Sequence, residues 1–526
     1  MLSTIRRRTA CEIGAVRKDH GGRLRVCLVY PNTYSVGMSS LGFQTVYHLL
    51  NSDPDVVCER AFLPDRDELA DLVRTQSALV SYESEKPLNQ FDVIAFSLSF
   101  ELDYVNVPRI LRLARLPVMA AERGEEHPLI IAGGIAASIN PEPLADLIDA
   151  FVIGEAEPVI GELVHALRGA AESKAVGLGS LSQLAGVYAP GDLTPFPLSK
   201  TGEGGREPRV ERQYLRDLDA WPTHSRILTR ETEFGELFLV EASRGCGRGC
   251  KFCVTPACYW PLRWRSAKSI LDSARQGLEH RDAIGLVGAA VSDHPEMDEI
   301  ATGIVEMGAR LSVSSLRADS VSDALIGALA RSGAKSITIA PEAGSERLRQ
   351  AIGKGISDAQ ILDTLRRASA AGIAQAKLYF MVGLPGEGEE DVAAIPAFVR
   401  ECMKAAALSR VTVAAGAFVP KPNTPYESEG MLPVPELSRR LRLIRGALRP
   451  EKRVQLALES PNWSYLEGAL SRGDRRLGAV IAEADERGSS LAAWRRSFET
   501  AGLTMEEFAG QLVGRRGPWR FIGREP

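Results

Sequence analysis

The stretch LFLVEASRGCGRGCKFC, residues 237–253, begins as an apolar strand and ends in a loop that carries three cysteines. Cys246, Cys250 and Cys253 are separated by three residues and then by two. Three thiolates on one tight loop can bind three corners of a cubic [4Fe–4S] cluster, which requires soft, deprotonated sulfur ligands. The fourth iron then lacks a protein ligand and can bind a small molecule. The spacing therefore predicts a metal cluster with an open position.

Two other interpretations of this loop are a zinc site and chance spacing. Zinc normally takes four protein ligands, often from a second CxxC pair or from paired histidines, and none is well placed here. Cys258, five residues beyond Cys253, is the nearest additional thiol. The strand before the loop and the strands after it favour the cluster over zinc.

Further strands follow the cysteine loop at regular intervals, with helical patterns between most of them. The strand patterns lie at residues 283–291, 310–316, 336–344, 376–386 and 411–420. At least five βα units of this length predict a partial or full (β/α) barrel, in which chemistry takes place at the carboxyl ends of the strands. The cysteine loop and the motifs described below all follow such strand ends.

The first part of the chain shows a second alternation of strands and helices. Its strand patterns lie at residues 24–30, 92–99, 128–134 and 150–155. Strands that alternate with helices predict a parallel, doubly wound (Rossmann-like) sheet. We therefore expect an α/β protein in four parts: a doubly wound domain over 1–175, a linker over 176–230, a barrel domain over 231–430 and a small helical C-terminal region over 431–526.

The bulk composition limits the classes of function. The 526 residues are 45% hydrophobic and 25% charged, as in ordinary globular proteins, and are too many for one core. The net charge of −4 argues against a general nucleic-acid or membrane-surface binder. No apolar run reaches the length of about 18 residues that a membrane span needs, and no secretory segment is recognisable. We expect a cytoplasmic protein, in which clustered cysteines are more often metal ligands or catalytic groups.

The CxxxCxxC loop, with Phe252 immediately before its last cysteine, resembles the signature of the radical S-adenosylmethionine (SAM) superfamily. The resemblance implies that the open iron chelates the amino and carboxylate groups of SAM. One electron from the cluster would then cleave SAM to methionine and a 5′-deoxyadenosyl radical, which abstracts hydrogen from a substrate. The resemblance also places Phe252 at the cofactor site.

The segment APEAGSERLR, residues 340–349, follows a strand and opens a helix. Such a turn can present backbone N–H groups to an anion. Glu342 could accept hydrogen bonds from ribose hydroxyls, and Arg347 could pair with a carboxylate. The alternative is a plain helix start with Ser345 as its N-cap.

Two further segments resemble parts of the superfamily's SAM site. MVGLPGEGEED, residues 381–391, is similar to the GxIxGxxE segment that supports the adenine, which assigns Gly383 and Glu387 to cofactor binding. A Gly-Pro turn before any acidic helix start would look similar. VGAAVSD occupies the place of the GGE-like motif but lacks that motif, so Ser292 and Asp293 are the candidate substitutes.

The chain as a whole resembles a bacterial radical SAM family with an N-terminal cobalamin-binding-like domain. The resemblance is carried by YPNTYSVGMSSLGFQTVYHLLN, APEAGSERLR, KLYFMVGLPGE and LEGALSRGDRRLG. Many cobalamin domains contain DxHxxG, whose histidine replaces the lower cobalt ligand, and this chain has no such motif. Cobalamin therefore either binds without a protein histidine or has been lost from the domain. If it binds, the expected cradle consists of the loops 31–42, 99–104, 133–138 and 154–158.

The favoured function is a radical SAM enzyme that uses cobalamin to transfer a methyl group to an unactivated carbon. The alternative is cobalamin-independent radical chemistry, such as methylthiotransferase-like modification of RNA or protein. Methylthiotransferases carry a second cluster on three N-terminal cysteines, whereas Cys27 here lies inside an apolar strand and is expected in the core. The resemblance further implies an electron donor such as flavodoxin or ferredoxin.

Overall fold

Two systems of parallel strands, one in each half of the chain, organise this computed structural model. It describes residues 1–170, 173–191, 210–512, 514 and 517–523. Helices cover most of the remaining described chain, so the predicted α/β class is confirmed. None of the described helices is long and apolar enough to cross a membrane.

The N-terminal sheet contains six strands: β1 (Leu24–Tyr30), β2 (Val56–Phe62), β3 (Val93–Ser97), β4 (Leu129–Gly133), β5 (Ala150–Val152) and β6 (Val187–Tyr188). Their order is β2-β1-β3-β4-β5-β6, and only the edge strand β6 runs antiparallel to its neighbour. Alternate residues of β1 belong to different hydrophobic clusters, with Cys27 and Val29 in one and Val26 and Leu28 in the other. Because successive strand residues point to opposite faces, both faces of this sheet are covered, as the doubly wound prediction requires.

Eight helices connect and cover these strands. They are α1 (Leu2–Ala10), α2 (Tyr34–Met38), α3 (Leu41–Ser52), α4 (Arg66–Thr75), α5 (Asn106–Leu113), α6 (Ile135–Ile139), α7 (Ile160–Ala170) and α8 (Lys174–Leu181). The Ser40 hydroxyl caps α3 by accepting a hydrogen bond from the backbone N–H of Phe43 at 3.3 Å. This cap fixes the start of α3 directly after the loop that follows β1.

The second strand system begins after a short strand, β7 (Val210–Glu211). Its strands are β8 (Phe238–Glu241), β9 (Ser243–Arg244), β10 (Arg263–Trp264), β11 (Ala283–Val287), β12 (Arg310–Val313), β13 (Ser336–Glu342), β14 (Gln375–Val382), β15 (Arg410–Ala417) and β16 (Val454–Leu458). Two parallel sheets, β12-β11-β8 and β13-β14-β15-β16, are joined by a parallel bridge between Leu316 and Ile339. No pairing between β16 and β8 closes the row in the described residues, so the described strands form an open row.

Helices on the outside of the partial barrel alternate with its strands. They are α9 (Thr255–Tyr259), α10 (Ala267–Leu278), α11 (Met297–Glu306), α12 (Asp323–Arg331), α13 (Glu346–Ala351), α14 (Asp358–Ala370), α15 (Glu389–Ala405) and α16 (Val434–Leu448). In β14, Ala376, Leu378, Phe380 and Val382 are buried in the same hydrophobic cluster as residues of α14, α15 and α16. The intervening residues of β14 therefore face the inside of the barrel.

The C-terminal region adds α17 (Pro461–Arg472), α18 (Leu477–Glu486), α19 (Leu491–Thr500), α20 (Met505–Ala509) and β17 (Ile522–Gly523). It returns to the N-terminal half of the chain, because the Asn140 side-chain amide donates to the carbonyls of Ser471 at 3.0 Å and Gly473 at 2.8 Å. Strand β17 pairs with β7. The Asn140 hydrogen bonds hold the C-terminal region against the N-terminal half of the chain.

The predicted domain boundaries can be compared with these elements. The boundary at residue 175 falls inside α8, and β6 lies in the predicted linker although it extends the first sheet. Residues 192–209 of that linker lie outside the described residues. Strand β16 lies in the predicted helical region but belongs to the barrel sheet. The four-part division remains a prediction.

Candidate cluster and cofactor site

The cysteine loop leaves β8 through the two-residue strand β9 and ends at α9. Gly245 has a φ of +86°, and a Cβ atom at this position would lie 2.5 Å from the backbone oxygen of Tyr259. Only glycine fits there, because an L side chain is strained at this φ and has no space. Cys246, Cys250 and Cys253 follow as free, partly exposed cysteines.

The chemistry and arrangement of the three cysteines decide whether they can bind a [4Fe–4S] cluster. Burial raises the pKa of the Cys246 and Cys250 thiols, and the neighbouring Cys253 adds to the shift of both. Within the described residues, no three His, Cys, Asp or Glu side chains converge on one metal-ion position. A cubic cluster does not require three side chains around one metal-ion position, because each thiolate binds a different iron. The donor set therefore fits a cluster, and the ligand assignment remains a prediction.

The loop around residue 350 clamps the cysteine loop in place. The backbone N–H of Lys251 donates to the carbonyl of Ile352 at 2.9 Å, and the Lys251 ammonium donates to the carbonyl of Ala351 at 2.8 Å. Gly353 has a φ of +73°, and a Cβ there would lie 2.3 Å from the carbonyl oxygen of Gly249. The two loops are therefore in van der Waals contact at a point where only glycine fits.

Phe252 brings three of the predicted cofactor segments together. It packs against a small buried cluster that contains Ala343, next to Glu342, and Leu384, next to Gly383. Ile352 belongs to the same cluster. The cysteine loop, the turn after β13 and the turn after β14 thus meet at one point, although residues 252 and 384 are far apart in the chain.

Glu342 ends β13 in an uncommon backbone conformation. Its φ is +71°, which is rare for a residue with a side chain and is retained at functional sites more often than elsewhere. The carboxylate accepts a hydrogen bond from the Lys354 ammonium at 2.9 Å. The backbone carbonyl of Lys354 in turn accepts one from the Arg317 guanidinium at 3.1 Å. Glu342 therefore lies beside the loop around residue 350, and its contact with SAM remains a prediction.

Arg347 and Ser345 share one internal partner. The Arg347 guanidinium pairs with the carboxylate of Asp391, which also accepts a hydrogen bond from the Ser345 hydroxyl. Ser345 caps α13 through the N–H of Leu348. Arg347 thus ties the start of α13 to α15, while its side chain keeps 55% of its surface exposed.

Glu387 and Ser292 are also engaged inside the protein. The backbone N–H of Gly383 donates to the Glu387 carboxylate at 2.6 Å, and Arg440 of α16 pairs with the same carboxylate, whose pKa burial raises. The Ser292 hydroxyl accepts a hydrogen bond from the backbone N–H of Arg317 at 3.1 Å. Both residues support turns at the barrel mouth, and their cofactor contacts remain predictions.

Asp293 links the cysteine loop to the barrel. Its carboxylate accepts two hydrogen bonds from the Arg248 guanidinium at 2.8 and 2.9 Å, and Asp319 contacts the same guanidinium at 3.2 Å. Asp293 lies after β11, and Asp319 lies after β12. Arg248 therefore anchors the middle of the cysteine loop to two neighbouring strand ends, which spacing alone could not predict.

A cavity of about 450 Å³ lies between the N-terminal sheet and the cysteine loop. We call it the cradle cavity. Each of the four loops predicted as a cobalamin cradle contributes to its wall, through Ser40, Ser99, Gly134 and Glu157 among others. From the barrel side it is lined by Ser243, Arg244, Gly245, Thr255, Cys258, Tyr259, Val287, Gly288 and Ala289.

One part of the cradle cavity is a deep apolar slot. It runs between the N-terminal sheet and the helices α3 and α7, and its walls include Val26, Leu28, Leu50, Ile131, Val152, Leu163 and Leu167. The opposite end is polar and contains the hydroxyl of Ser243, which is only 4% exposed and has no hydrogen-bond partner. None of the described residues that line the cavity is a histidine.

Buried ion pairs connect the cradle cavity to the cysteine loop. The Arg244 guanidinium contacts Glu155 at 2.9 Å, Glu157 at 2.6 Å and Glu241 at 2.9 Å. Arg263 of β10 also pairs with Glu155, at 2.7 Å. Because β9 carries Arg244 and the first sheet carries Glu155 and Glu157, these pairs hold the cysteine loop at the edge of that sheet.

Replacing Arg244 by methionine is expected to lower the free energy of unfolding by about 3–5 kcal/mol, because buried carboxylates lose their partner. The measurement is urea unfolding followed by circular dichroism. The matched control is Arg230→Met, since Arg230 is 83% exposed and pairs with Glu236 at the surface, where the change should cost about 1 kcal/mol or less. Equal stability losses in both variants would contradict this role of Arg244.

Comparison with known proteins agrees with this arrangement. Residues 240–399 match the family model described as radical SAM superfamily, and residues 42–190 match the one described as the N-terminal part of radical SAM proteins. The chain belongs to the radical SAM superfamily. It is thus an enzyme whose cofactors are a [4Fe–4S] cluster and SAM. The expectation drawn from the CxxxCxxC loop is confirmed at this level.

Relatives of this radical SAM enzyme include two archaeal proteins. An uncharacterised protein of Methanocaldococcus jannaschii is 28% identical over 503 residues, which are 94% of this chain and 98% of the relative. A protein of Pyrococcus horikoshii named as an uncharacterised methyltransferase is 25% identical over 296 residues, 53% of this chain and 60% of the relative. The first match covers nearly the whole length of both chains.

Solved structures show the same fold. The radical SAM methyltransferase TsrM from Kitasatospora setae, with cobalamin and a [4Fe–4S] cluster bound, aligns with a TM-score of 0.55 over 91% of this chain and 100% of that chain, at 14% identity. The cobalamin-dependent radical SAM enzyme OxsB, with aqua-cobalamin and SAM bound, aligns with a TM-score of 0.51 over 91% of this chain and 70% of that chain, at 16% identity. The likeness covers both sheet systems.

Proposed function

We propose that this radical SAM enzyme binds cobalamin in the cradle cavity and transfers a methyl group from SAM to an unactivated carbon. The observation that carries the proposal is the position of the cavity, which lies along the carboxyl edge of the doubly wound sheet and also touches the cysteine loop. In open α/β sheets, ligands bind at this edge. A cofactor in the cavity would therefore lie beside the loop proposed to hold the cluster.

The lining of the cradle cavity supports a cofactor that has both polar groups and an apolar end. The slot between the sheet and the helices α3 and α7 is apolar, whereas the end near Ser243 is polar and faces the barrel. In this proposal a flat macrocycle lies over the small and polar loop residues at the sheet edge, and the aromatic base of its nucleotide tail enters the slot. Bound cobalamin would supply a cobalt that carries a methyl group from one SAM to the substrate, and a second SAM would supply the radical.

Two glycines and a serine make the cradle loops suitable for close approach of a cofactor. Gly134 and Gly154 have φ values of +103° and +108°, and Cβ atoms there would lie 2.5 Å from the Leu98 oxygen and 2.1 Å from the Gln213 oxygen. Backbone therefore forms the wall at these points. The unpartnered Ser243 hydroxyl provides a hydrogen-bonding group at the polar end. With no histidine in the lining, we infer that cobalamin is held without a protein histidine below the cobalt.

The positions of the cluster-site residues support the following proposed roles. Cys246, Cys250 and Cys253 hold the cluster, and Phe252 packs behind them against the turns that carry Glu342 and Gly383. Glu342 contacts the polar part of SAM at the barrel mouth. Arg347, Glu387 and Ser292 fix the shape of that mouth through the internal bonds described above. An electron carrier of the flavodoxin or ferredoxin type reduces the cluster.

The test of the proposed function is the fate of the SAM methyl group. The enzyme is reconstituted anaerobically with iron, sulfide and hydroxocobalamin, reduced with titanium(III) citrate and incubated with methyl-labelled SAM. The expected result is S-adenosylhomocysteine in an amount equal to the bound corrin, with the label retained on the protein fraction. Release of 5′-deoxyadenosine without any S-adenosylhomocysteine would contradict the proposal and favour cobalamin-independent radical chemistry.

A further inference from the structure

The inner face of the sheet β13-β14-β15-β16 is not filled by side chains as in a closed barrel. Strand pairing places Thr338, Lys377, Thr412 and Gln455 in one row and Tyr379, Ala414 and Ala457 in a second row, nearer the cluster. In closed barrels bulky branched residues fill such rows. Here the residues are small or polar and are partly or fully exposed. The face therefore lines an open lumen.

The exposed charges on the lower part of this face are all positive. Lys377 lies in the middle of β14, is half-buried and has no ion-pair partner among the described residues. Arg410, one step further from the cluster on β15, is also exposed without such a partner. At the upper end the carboxylate of Glu342 is already paired with Lys354 at 2.9 Å. Among the described residues, the lower rows of this face therefore carry cations and no carboxylate, whereas at the upper end the Glu459 carboxylate lies over Gly416.

The Lys377 ammonium is aimed along the strand towards the cluster end. Its nitrogen lies 4.6 Å from the centroid of the Tyr379 ring, so a cation–π contact holds the side chain in this direction. Thr338 and Thr412 flank Lys377 in register on the two neighbouring strands, about 4.8 Å away on either side. The Lys377 ammonium and the hydroxyls at the two flanking threonine positions are donors that can bind an anionic group.

The contact with Tyr379 places the Lys377 ammonium towards the cluster end of the lumen. Met381 packs against the buried cluster that also contacts Phe252. Met381 and Tyr379 are two positions apart in β14, which corresponds to roughly 7 Å along the strand. We propose that the substrate carries an acidic group, a carboxylate or a phosphate, that binds Lys377 in the lumen. The inference rests on the proposed function in taking the lumen as the substrate site.

The test uses small anions as probes of the reconstituted holoenzyme. Binding of benzoate, phenyl phosphate and neutral benzyl alcohol is measured by isothermal titration calorimetry, so that carboxylate and phosphate are compared directly. We expect one of the anions to bind at least about tenfold more tightly than the alcohol, and Lys377→Gln to lose about tenfold in affinity for it. Lys377→Arg should retain most of the affinity, and Lys268→Gln on the outer surface is the matched control.

Iron content, SAM cleavage and corrin content are measured on each variant, because Lys377 is solvent-accessible and its replacement should leave the fold and cofactors unchanged. Equal affinity of wild type and Lys377→Gln for both anions, or binding of the alcohol as tight as that of the anions, would overturn the proposal. Absence of anion binding would overturn it as well. Anion binding needs no corrin, so a failure of cobalamin loading would be recorded separately.

Discussion

Replacing Cys246, Cys250 and Cys253 together by alanine is expected to abolish cluster binding and SAM cleavage in the same protein. The wild-type chain should hold about four irons after anaerobic reconstitution, and the triple variant almost none, because no other cysteine belongs to the loop. The readouts are iron and sulfide content, the visible absorption of the cluster and the release of 5′-deoxyadenosine. The three residues are partly exposed, so their loss should not disturb the core.

Cys258 provides the matched control for that experiment. It lies in α9 close to the cysteine loop, but it is only 4% exposed, its side of the helix lines the cradle cavity, and burial raises its thiol pKa strongly. A fourth protein thiolate on the cluster would also occupy the iron that SAM needs. Cys258→Ala should therefore keep iron content and SAM cleavage. Loss of the cluster in this single variant, or about four irons retained in the triple variant, would contradict the ligand assignment.

Filling the apolar slot is expected to prevent cobalamin binding without affecting the cluster. Thr45 of α3 points into the cradle cavity, and its hydroxyl bonds only to the Leu41 carbonyl of its own helix, at 2.8 Å. Thr45→Trp places an indole in the slot where the nucleotide tail would lie. The cavity can accept that ring, so the fold should survive. Corrin content after gel filtration should fall at least about tenfold, which corresponds to 1.4 kcal/mol or more of binding free energy.

Ser52→Trp is the matched control for the slot variant. Ser52 ends the same helix but is exposed to solvent, so an indole there leaves the slot unchanged. This variant should retain wild-type corrin content, and both variants should retain iron and SAM cleavage. Normal corrin content in Thr45→Trp would place the cofactor elsewhere than in the slot.

The sequence predicted the strands that begin and end in apolar runs. The strand that leads into the cysteine loop, the strands β11 to β15 and four strands of the first sheet were predicted at nearly their observed positions, whereas the two-residue strands β9 and β10 were not predicted. Strand β2 was not predicted, because Glu59 and Arg60 interrupt its apolar pattern. The structure explains their presence, since the fully buried Arg60 pairs with Glu12 at 2.7 Å and Glu83 at 2.6 Å. Such partners are distant in sequence and cannot be seen in a local pattern.

The candidate site was predictable to the extent that its residues follow strand ends. The cysteine loop and the turns after β13 and β14 do meet, through Phe252. The roles of single side chains were harder to predict, because Arg347 pairs with Asp391, 44 positions away. The exposed lumen face around Lys377 depends on the register of four strands, and the cradle cavity depends on how the two sheet systems pack. Neither can be derived from motif spacing.

The most direct test of the account is the corrin content of the wild-type enzyme. The chain is reconstituted anaerobically with iron, sulfide and excess hydroxocobalamin, separated by gel filtration, and analysed by its visible spectrum and cobalt content. We predict that corrin co-elutes with the protein at about one corrin per chain, with the spectrum of cobalamin whose lower base is detached. Elution of the protein with its cluster but without corrin would contradict the cobalamin-dependent function.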